Sequence, residues 1–410
     1  MKASPIKVLF FAEGATLAQL VRPLALARLL DPERFEVTFC RPAARGWLTA
    51  DAAFRVVDLA VQPEAQFARR RDKLSPLYDY ATLTRYVEDD LALIDAIDPD
   101  VIVGDSRLSL SVSARLRATP YIALCDACLS PENDAPVPLP ALAGTRYLPI
   151  ALVEPLFRAI SGIAMRYHAL PFERLRAHYG LPSLGFDLYR GDGDADLRLF
   201  ASIPMLFPKL YPGADAAYIG PVTAFPSLVA VPVFYDDEGP LVYVTLGSSG
   251  TSRLLARIVS VLERLDCQVI VATAGKLLPF EPASERVRVF DYLPGELVCR
   301  HAQLVVCNGG SAAANQALAN GVPVLGIARG IDQLLNMRAV DSFGAGLLVR
   351  ADRASSARLR EAAEELLREW WFTERAEKLA ASVSPGSLAA VFTRHVLSLC
   401  TDAASAVSTR

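Results

Sequence analysis

The sequence predicts an α/β protein built from two doubly wound parallel sheets, one in each half of the chain. Three observations predict it. Short apolar runs alternate with helical stretches along most of the chain, which is the rhythm of β-α-β units. The rhythm stops once, in a proline-bearing stretch without periodicity around 225–240, and begins afresh at 241. The 410 residues also exceed what a single ordinary core organises. The expected division is 1–225, a linker at 226–240, a second half at 241–385, and a C-terminal helix or tail at 386–410.

The elements follow in order. Ile6-Lys-Val-Leu-Phe-Phe11 is a continuous apolar run of the kind that forms a buried parallel strand. A small-residue turn at 12–16 leads to a helix over 17–30, stopped by Asp31-Pro32. Strands follow at 35–39 and 54–59, a helix at 82–97, and a strand at 101–103 ending in Gly104-Asp105. A helix at 109–117 and a strand at 121–124 continue the alternation. Residues 131–200 are less regular, with prolines at 136–140 and helices at 150–167 and 172–179. The first of these is apolar along one face, which suits a core or a membrane surface. Core packing is the reading adopted, because its polar face is not strongly basic. Strands at 198–201 and 217–219 close the first half.

In the second half the spacing predicts strands at 241–246, 268–272, 287–290, 304–307 and 322–327, with helices at 252–264 and 312–320. The chain is helical from 357 onward, and Trp370-Trp371 reads as a packing anchor.

Composition excludes several classes. With 52% apolar and 21% charged residues the chain is globular rather than disordered. A net charge of −3 leaves no electrostatic footprint for nucleic acid, and Arg69-Arg70-Arg71 reads as a solvated helix face. No apolar run reaches the ~18 residues of a membrane span, and residues 1–7 lead directly into a strand, so the expectation is a cytoplasmic protein without an integral membrane segment. The seven cysteines are scattered and odd in number, which argues against a disulfide framework. Cys125-x-x-Cys128 lacks a second ligand pair at zinc spacing, so no metal site is expected.

The chemistry concentrates in one stretch. The strand at 304–307 runs into Asn308-Gly309-Gly310-Ser311, and a helix begins at once. Such a junction presents free backbone N–H groups at the positive end of a helix, which suits a diphosphate, and glycine lets a ligand approach closely. A plain strand-to-helix turn would use the same residues. The next strand ends in Gly326-Ile-Ala-Arg-Gly330, followed by Asp332-Gln333-Leu-Leu-Asn336. In doubly wound sheets ligands gather at the carboxyl ends of strands, so Asp332 and Gln333 reach the same cleft. A carboxylate beside an amide suits sugar hydroxyls, although the pair would also cap a helix.

Taken together, Asn308-Gly309-Gly310-Ser311-Ala312, Gln316-Ala317-Leu318, Gly321-Val322-Pro323 and Asp332-Gln333-x-x-Asn336 resemble the donor signature of the family 1 UDP-glycosyltransferases. Thr245-Leu246-Gly247-Ser248 is similar to the first strand and phosphate-side loop of that family's C-terminal domain, and Tyr292-Leu293-Pro294 to the segment facing the nucleobase. The resemblance extends to Leu24–Arg28 and to Pro99–Asp105, and so covers most of the chain. It implies the GT-B architecture, two Rossmann-like domains facing across a cleft, with acceptor bound by the first and nucleotide sugar by the second. It further implies an inverting hexosyltransferase of bacterial natural-product type, using a UDP or dTDP sugar as donor substrate, a small-molecule acceptor, and neither metal nor cofactor. A monomer or homodimer is expected.

The departures bear on catalysis. The signature His of the family is Asn308 and the ribose-contacting Glu is Gln316; both amides keep hydrogen bonding and lose titration. The general-base His aligns with Gln19, which cannot accept a proton at neutral pH. Carboxylates remain as substitutes: Asp105 at its strand end, which matches the residue orienting the family's His, and Glu13 after the first strand. His168, His178, His301 and His395 do not fill the gap by position. Tyr78, Tyr80 and Tyr86 either line an acceptor pocket or pack in the core. Two other readings stay open: an auxiliary or binding protein that has lost turnover, and a different glycosyl-transfer or coupling reaction on the same scaffold.

Overall fold

The computed structural model describes residues 4–223, 239–247, 251–277, 281–282, 284–383 and 387–408. Ser248 and most of the expected linker lie outside the described residues. In the first half, β1 (Ile6–Ala12), β2 (Phe35–Arg41), β3 (Arg55–Asp58), β4 (Val101–Asp105), β5 (Tyr121–Cys125), β6 (Leu197–Phe200) and β7 (Ala216–Tyr218) form one parallel sheet in the order β3-β2-β1-β4-β5-β6-β7. Leu9, Phe10 and Phe11 are wholly enclosed, because helices cover both faces of a parallel sheet. The helices of this half are α1 (Ala18–Arg28), α2 (Glu64–Asp72), α3 (Tyr80–Ile97), α4 (Leu110–Arg117), α5 (Ile150–His178) and α6 (Leu188–Asp192).

The second sheet joins β8 (Leu241–Thr245), β9 (Gln268–Ala272), β10 (Val287–Phe290), β11 (Leu304–Cys307), β12 (Val324–Ala328) and β13 (Gly346–Arg350) in the order β10-β9-β8-β11-β12-β13, again all parallel. Its helices are α7 (Ser252–Leu262), α8 (Gly295–Cys299), α9 (Ser311–Ala319), α10 (Ile331–Phe343), α11 (Ser356–Arg368) and α12 (Trp370–Ala381), and α13 (Ser387–Ser408) ends the chain. The doubly wound two-sheet fold is the one expected.

Three expectations change. The helices at 150–167 and 172–179 are one helix of 29 residues. Pro171 removes one backbone bond to the preceding turn, but Ala169, Phe172, Leu175 and Arg176 are buried around it and hold that part of α5 in place. The apolar face of its earlier part is not core: Leu152 and Ile163 are 74% and 72% exposed. Trp370 is 69% exposed, so the tryptophan pair is no packing anchor. The C-terminal segment is a helix. Helix α13 returns to the first half, where Phe392 and Val396 are buried in its core and Phe392 lies 6.3 Å from Phe10.

Candidate functional site between the two sheets

Strand order reverses between β1 and β4 in the first sheet and between β8 and β11 in the second. The carboxyl ends of strands at such reversals are where a doubly wound sheet opens to a ligand. They carry Glu13 and Asp105 on one side, and Thr245, Gly247 and Asn308 on the other.

On the second side, β11 ends in Asn308, whose side-chain oxygen accepts the Gly310 N–H at 3.0 Å. Gly309 has φ 78°, and a Cβ there would sit 2.6 Å from the Met337 side chain, so only glycine fits. Asn336, buried on α10, donates to the Gly309 carbonyl at 3.0 Å and ties the two motifs together. Ser311 and Ala312 open α9. Gly247, at φ 58°, lies beside Asn308, and the Lys276 ammonium donates to its carbonyl at 3.3 Å. Half-buried Thr245 ends β8 immediately before this turn. A cation, a polar loop and a helix start thus converge at one strand end, a setting that can hold an anion.

The neighbouring positions are more committed to structure. The Gln333 side-chain oxygen accepts from the Arg329 and Gly330 N–H groups at the start of α10. Gln316 donates its amide to the Thr223 carbonyl at 2.9 Å and fills the space that a side chain at Gly295 would need. Leu293 is buried in the core, and the Tyr292 ring is met by Trp47 of the first half at 4.7 Å, with the Arg45 guanidinium donating to its hydroxyl. Asp332 stays open to solvent at the start of α10.

On the first side, both expected bases are enclosed. Glu13 accepts from the Tyr78 and Tyr86 hydroxyls at 2.9 and 3.0 Å and pairs with Arg107 at 2.9 Å; Arg107 also pairs with Asp90. Burial holds the Glu13 carboxyl above its usual range against the pull of Arg107. Tyr78 and Tyr86 are therefore core residues and no acceptor lining. Asp105 is wholly buried and takes a two-pronged bond from Arg22, at 2.8 and 2.9 Å. Burial raises its carboxyl and Arg22 opposes the rise. Both carboxylates are committed to buried ion pairs with arginine. The Gln19 side chain is occupied locally, accepting the Thr16 N–H at 3.0 Å.

Arg22 supplies what spacing alone could not reveal. Its third nitrogen donates to Asp126 Oδ1 at 2.6 Å, and the same oxygen accepts the Ser311 hydroxyl from across the cleft at 2.6 Å. Asp126 Oδ2 makes no hydrogen bond among the described residues, and the side chain is 22% exposed. Asp192, half-buried at the end of α6, is pushed up to about 7 by burial and by the charges of Asp105 and Asp126. One guanidinium serves three carboxylates, so repulsion among them is only partly neutralised.

Residues 256–389 match the family model described as erythromycin biosynthesis protein CIII-like, C-terminal domain. A rhamnosyltransferase of PGL/p-HBAD biosynthesis from Mycobacterium bovis (strain BCG / Pasteur 1173P2) is 40% identical over 91% of this chain and 83% of its own. The chain belongs to the family 1 glycosyltransferases. A second relative from the same organism, 38% identical over 63% of this chain and 71% of its own, is described as an inactive glycosyltransferase of the same biosynthesis. Among solved structures, the spinosyn rhamnosyltransferase SpnG shares the fold with a TM-score of 0.68 at 16% identity, over 95% of this chain and 99% of the other. The same enzyme is also known complexed with thymidine diphosphate, with a TM-score of 0.63 at 18% identity over 92% and 95% of the two chains. This glycosyltransferase of natural-product biosynthesis thus has the GT-B fold expected from its sequence. Among its described residues no helix is long and apolar enough to cross a membrane.

Asp126, Arg22, Asp192 and Lys276 were absent from the sequence-based set of candidates. Asp126 follows the apolar strand Tyr121–Cys125, as Asp105 closes its own, and a systematic look at strand ends would have singled it out.

Proposed function

We propose that the chain transfers a deoxyhexose from a deoxythymidine diphosphate sugar to a hydroxyl of a small-molecule acceptor, with inversion and without a metal ion. The observation that carries the reading is the loop Asn308–Ser311 at the strand-order reversal, opening α9 toward Asp126 of the other half. The leaving diphosphate would lie on the α9 N–H groups, Ser311 and the Lys276 side, where aligned dipoles stabilise developing charge without proton transfer. Exposed Asp332 would face the sugar. The deoxysugar and the thymidine nucleotide are chosen because a close relative is named a rhamnosyltransferase and a structural neighbour holds thymidine diphosphate.

Asp126 replaces Asp105 and Glu13 in this reading as the general base. The acceptor oxygen attacks the anomeric carbon, its proton passes to Asp126 Oδ2, and the bond from that carbon to the diphosphate oxygen breaks with its electron pair leaving on the diphosphate. Arg22, itself held by Asp105, orients Asp126 as a third group orients a base in other hydrolytic and transfer sites. Titration calorimetry with dTDP, UDP and GDP tests the donor side. Binding strongest for dTDP is expected; failure of all three to bind overturns the proposal.

A second reading is favoured by Gln19 and by the inactive relative: a chain that binds donor but does not turn it over. Donor hydrolysis separates the two, because a chain with a working Asp126 releases sugar to water slowly, and the Asp126→Asn variant loses that release.

A further inference from the structure

From Leu152 to Leu170, α5 carries Leu152, Leu156, Ile160, Ile163, Tyr167 and Leu170 at spacings of four and three, which places them on one stripe of a 3.6-residue helix. All six are exposed, Leu156 at 65%. Tyr147, at 77%, extends the stripe before the helix begins. Contiguous apolar surface of this kind on a folded chain marks a contact with something apolar.

The charges around the stripe indicate what covers it. Between Glu154 and Glu173 there is no acidic residue; Arg166 borders the stripe and Arg174 lies at its far end, while Arg158 pairs with Glu154 at 3.6 Å on the opposite side of the helix. Arg166 stacks its guanidinium over the Phe186 ring at 5.1 Å and pairs with no carboxylate among the described residues, and Arg146 lies over Tyr147 at 4.8 Å. A second copy of this chain would bring like-charged rims together across a two-fold contact. An apolar stripe with a cationic rim and tyrosines at its two ends is the complement of a phospholipid surface bearing negative headgroups.

We infer that α5 is a membrane-surface helix that lays this stripe into the interface of an anionic bilayer, with the helix lying on the membrane and not crossing it. The inference does not rest on the reading of Asp126 or of the donor.

Flotation of the full chain with vesicles tests it. Vesicles of phosphatidylcholine with one quarter phosphatidylglycerol should bind the protein about tenfold better than phosphatidylcholine alone, and high salt should remove the difference. The double variant Leu156→Glu with Ile163→Glu alters only exposed positions, and it should lose binding by at least about tenfold while its thermal midpoint and circular dichroism stay unchanged. Arg166→Glu with Arg174→Glu keeps the stripe and should abolish the preference for the anionic vesicles. Equal flotation of wild type and the Leu156/Ile163 variant overturns the inference. So does a wild type that binds neither vesicle, including one that forms a dimer which the same variant splits.

Discussion

The Ser311 hydroxyl of the second half donates to the Asp126 carboxylate of the first at 2.6 Å, at the helix start where a donor diphosphate is expected. A protein carboxylate therefore lies against the anion site, and the two halves are coupled through the residue that would also hold the phosphate. Ser311→Ala should weaken dTDP binding by about tenfold, as loss of one hydrogen bond to a charged group predicts. Asp126→Asn should act in two directions. It removes a negative charge facing the diphosphate, so nucleotide binding tightens, while kcat falls by ~10²–10⁴ if the carboxylate is the base. Calorimetry and steady-state rates on the same preparation read the two effects separately, and a kcat left unchanged would remove Asp126 from the mechanism.

The pH dependence belongs to Asp192. Its carboxyl is raised to about 7 by burial and by Asp105 and Asp126, so it gains charge as pH rises through neutrality. Nucleotide affinity should decline across that range, because another negative charge enters the cluster. Stability follows the same sign. A carboxyl whose folded pKa lies above the unfolded value near 3.8 leaves the native state holding more protons, so its stabilising contribution is present at low pH and is lost as pH rises toward 7. Comparing wild type with Asp192→Asn from pH 4 to 8, by urea midpoint and by dTDP affinity, isolates this component from the other carboxylates. Parallel profiles for the two proteins would contradict the assignment.

Among the described residues, Arg22 is the sole cation bonded to Asp105. Arg22→Met strips the partner from a wholly buried carboxylate, and loss of one member of a buried pair typically costs about 3–5 kcal/mol. The urea midpoint should drop accordingly. Adding Asp105→Asn to the same chain should restore part of the loss, because the uncompensated charge is then gone; two additive losses would argue that the pair is not coupled.

Gly309 tests the donor loop without touching any polar side chain. An alanine there meets Met337 and adopts a backbone conformation that costs about 1–2 kcal/mol for a residue with Cβ. Gly309→Ala should displace Asn308 and Ser311 together, giving a larger loss of dTDP affinity than Ser311→Ala alone. Calorimetry of the two variants side by side checks the order.

How much was legible beforehand varies by element. β1, β8 and β11 announced themselves, because strands buried on both faces are written as unbroken apolar runs. The donor loop was legible for a similar reason: Gly309 and the start of α9 are local features. The failures have physical causes too. α6 is five residues long with a glycine inside, and its register depends on packing against α5. The exposed stripe of α5 carries the same periodicity that a buried one would, since periodicity reports a face and not what covers it. Arg22 and Asp126 are separated by 104 residues and meet because β1, β4 and β5 are neighbours in the sheet.

From the sequence alone came the two parallel sheets, the donor loop at Asn308–Ser311 and the absence of a histidine at position 19, because each is a property of neighbouring residues. Only the tertiary structure decided which carboxylate faces the cleft. Glu13 and Asp105 stand at strand ends as expected, yet both are paired with buried arginines, while Asp126 Oδ2 beside Ser311 accepts no hydrogen bond among the described residues. The difference lies in distances between groups far apart in the chain, and those distances set both the charge a carboxylate carries and what it can reach.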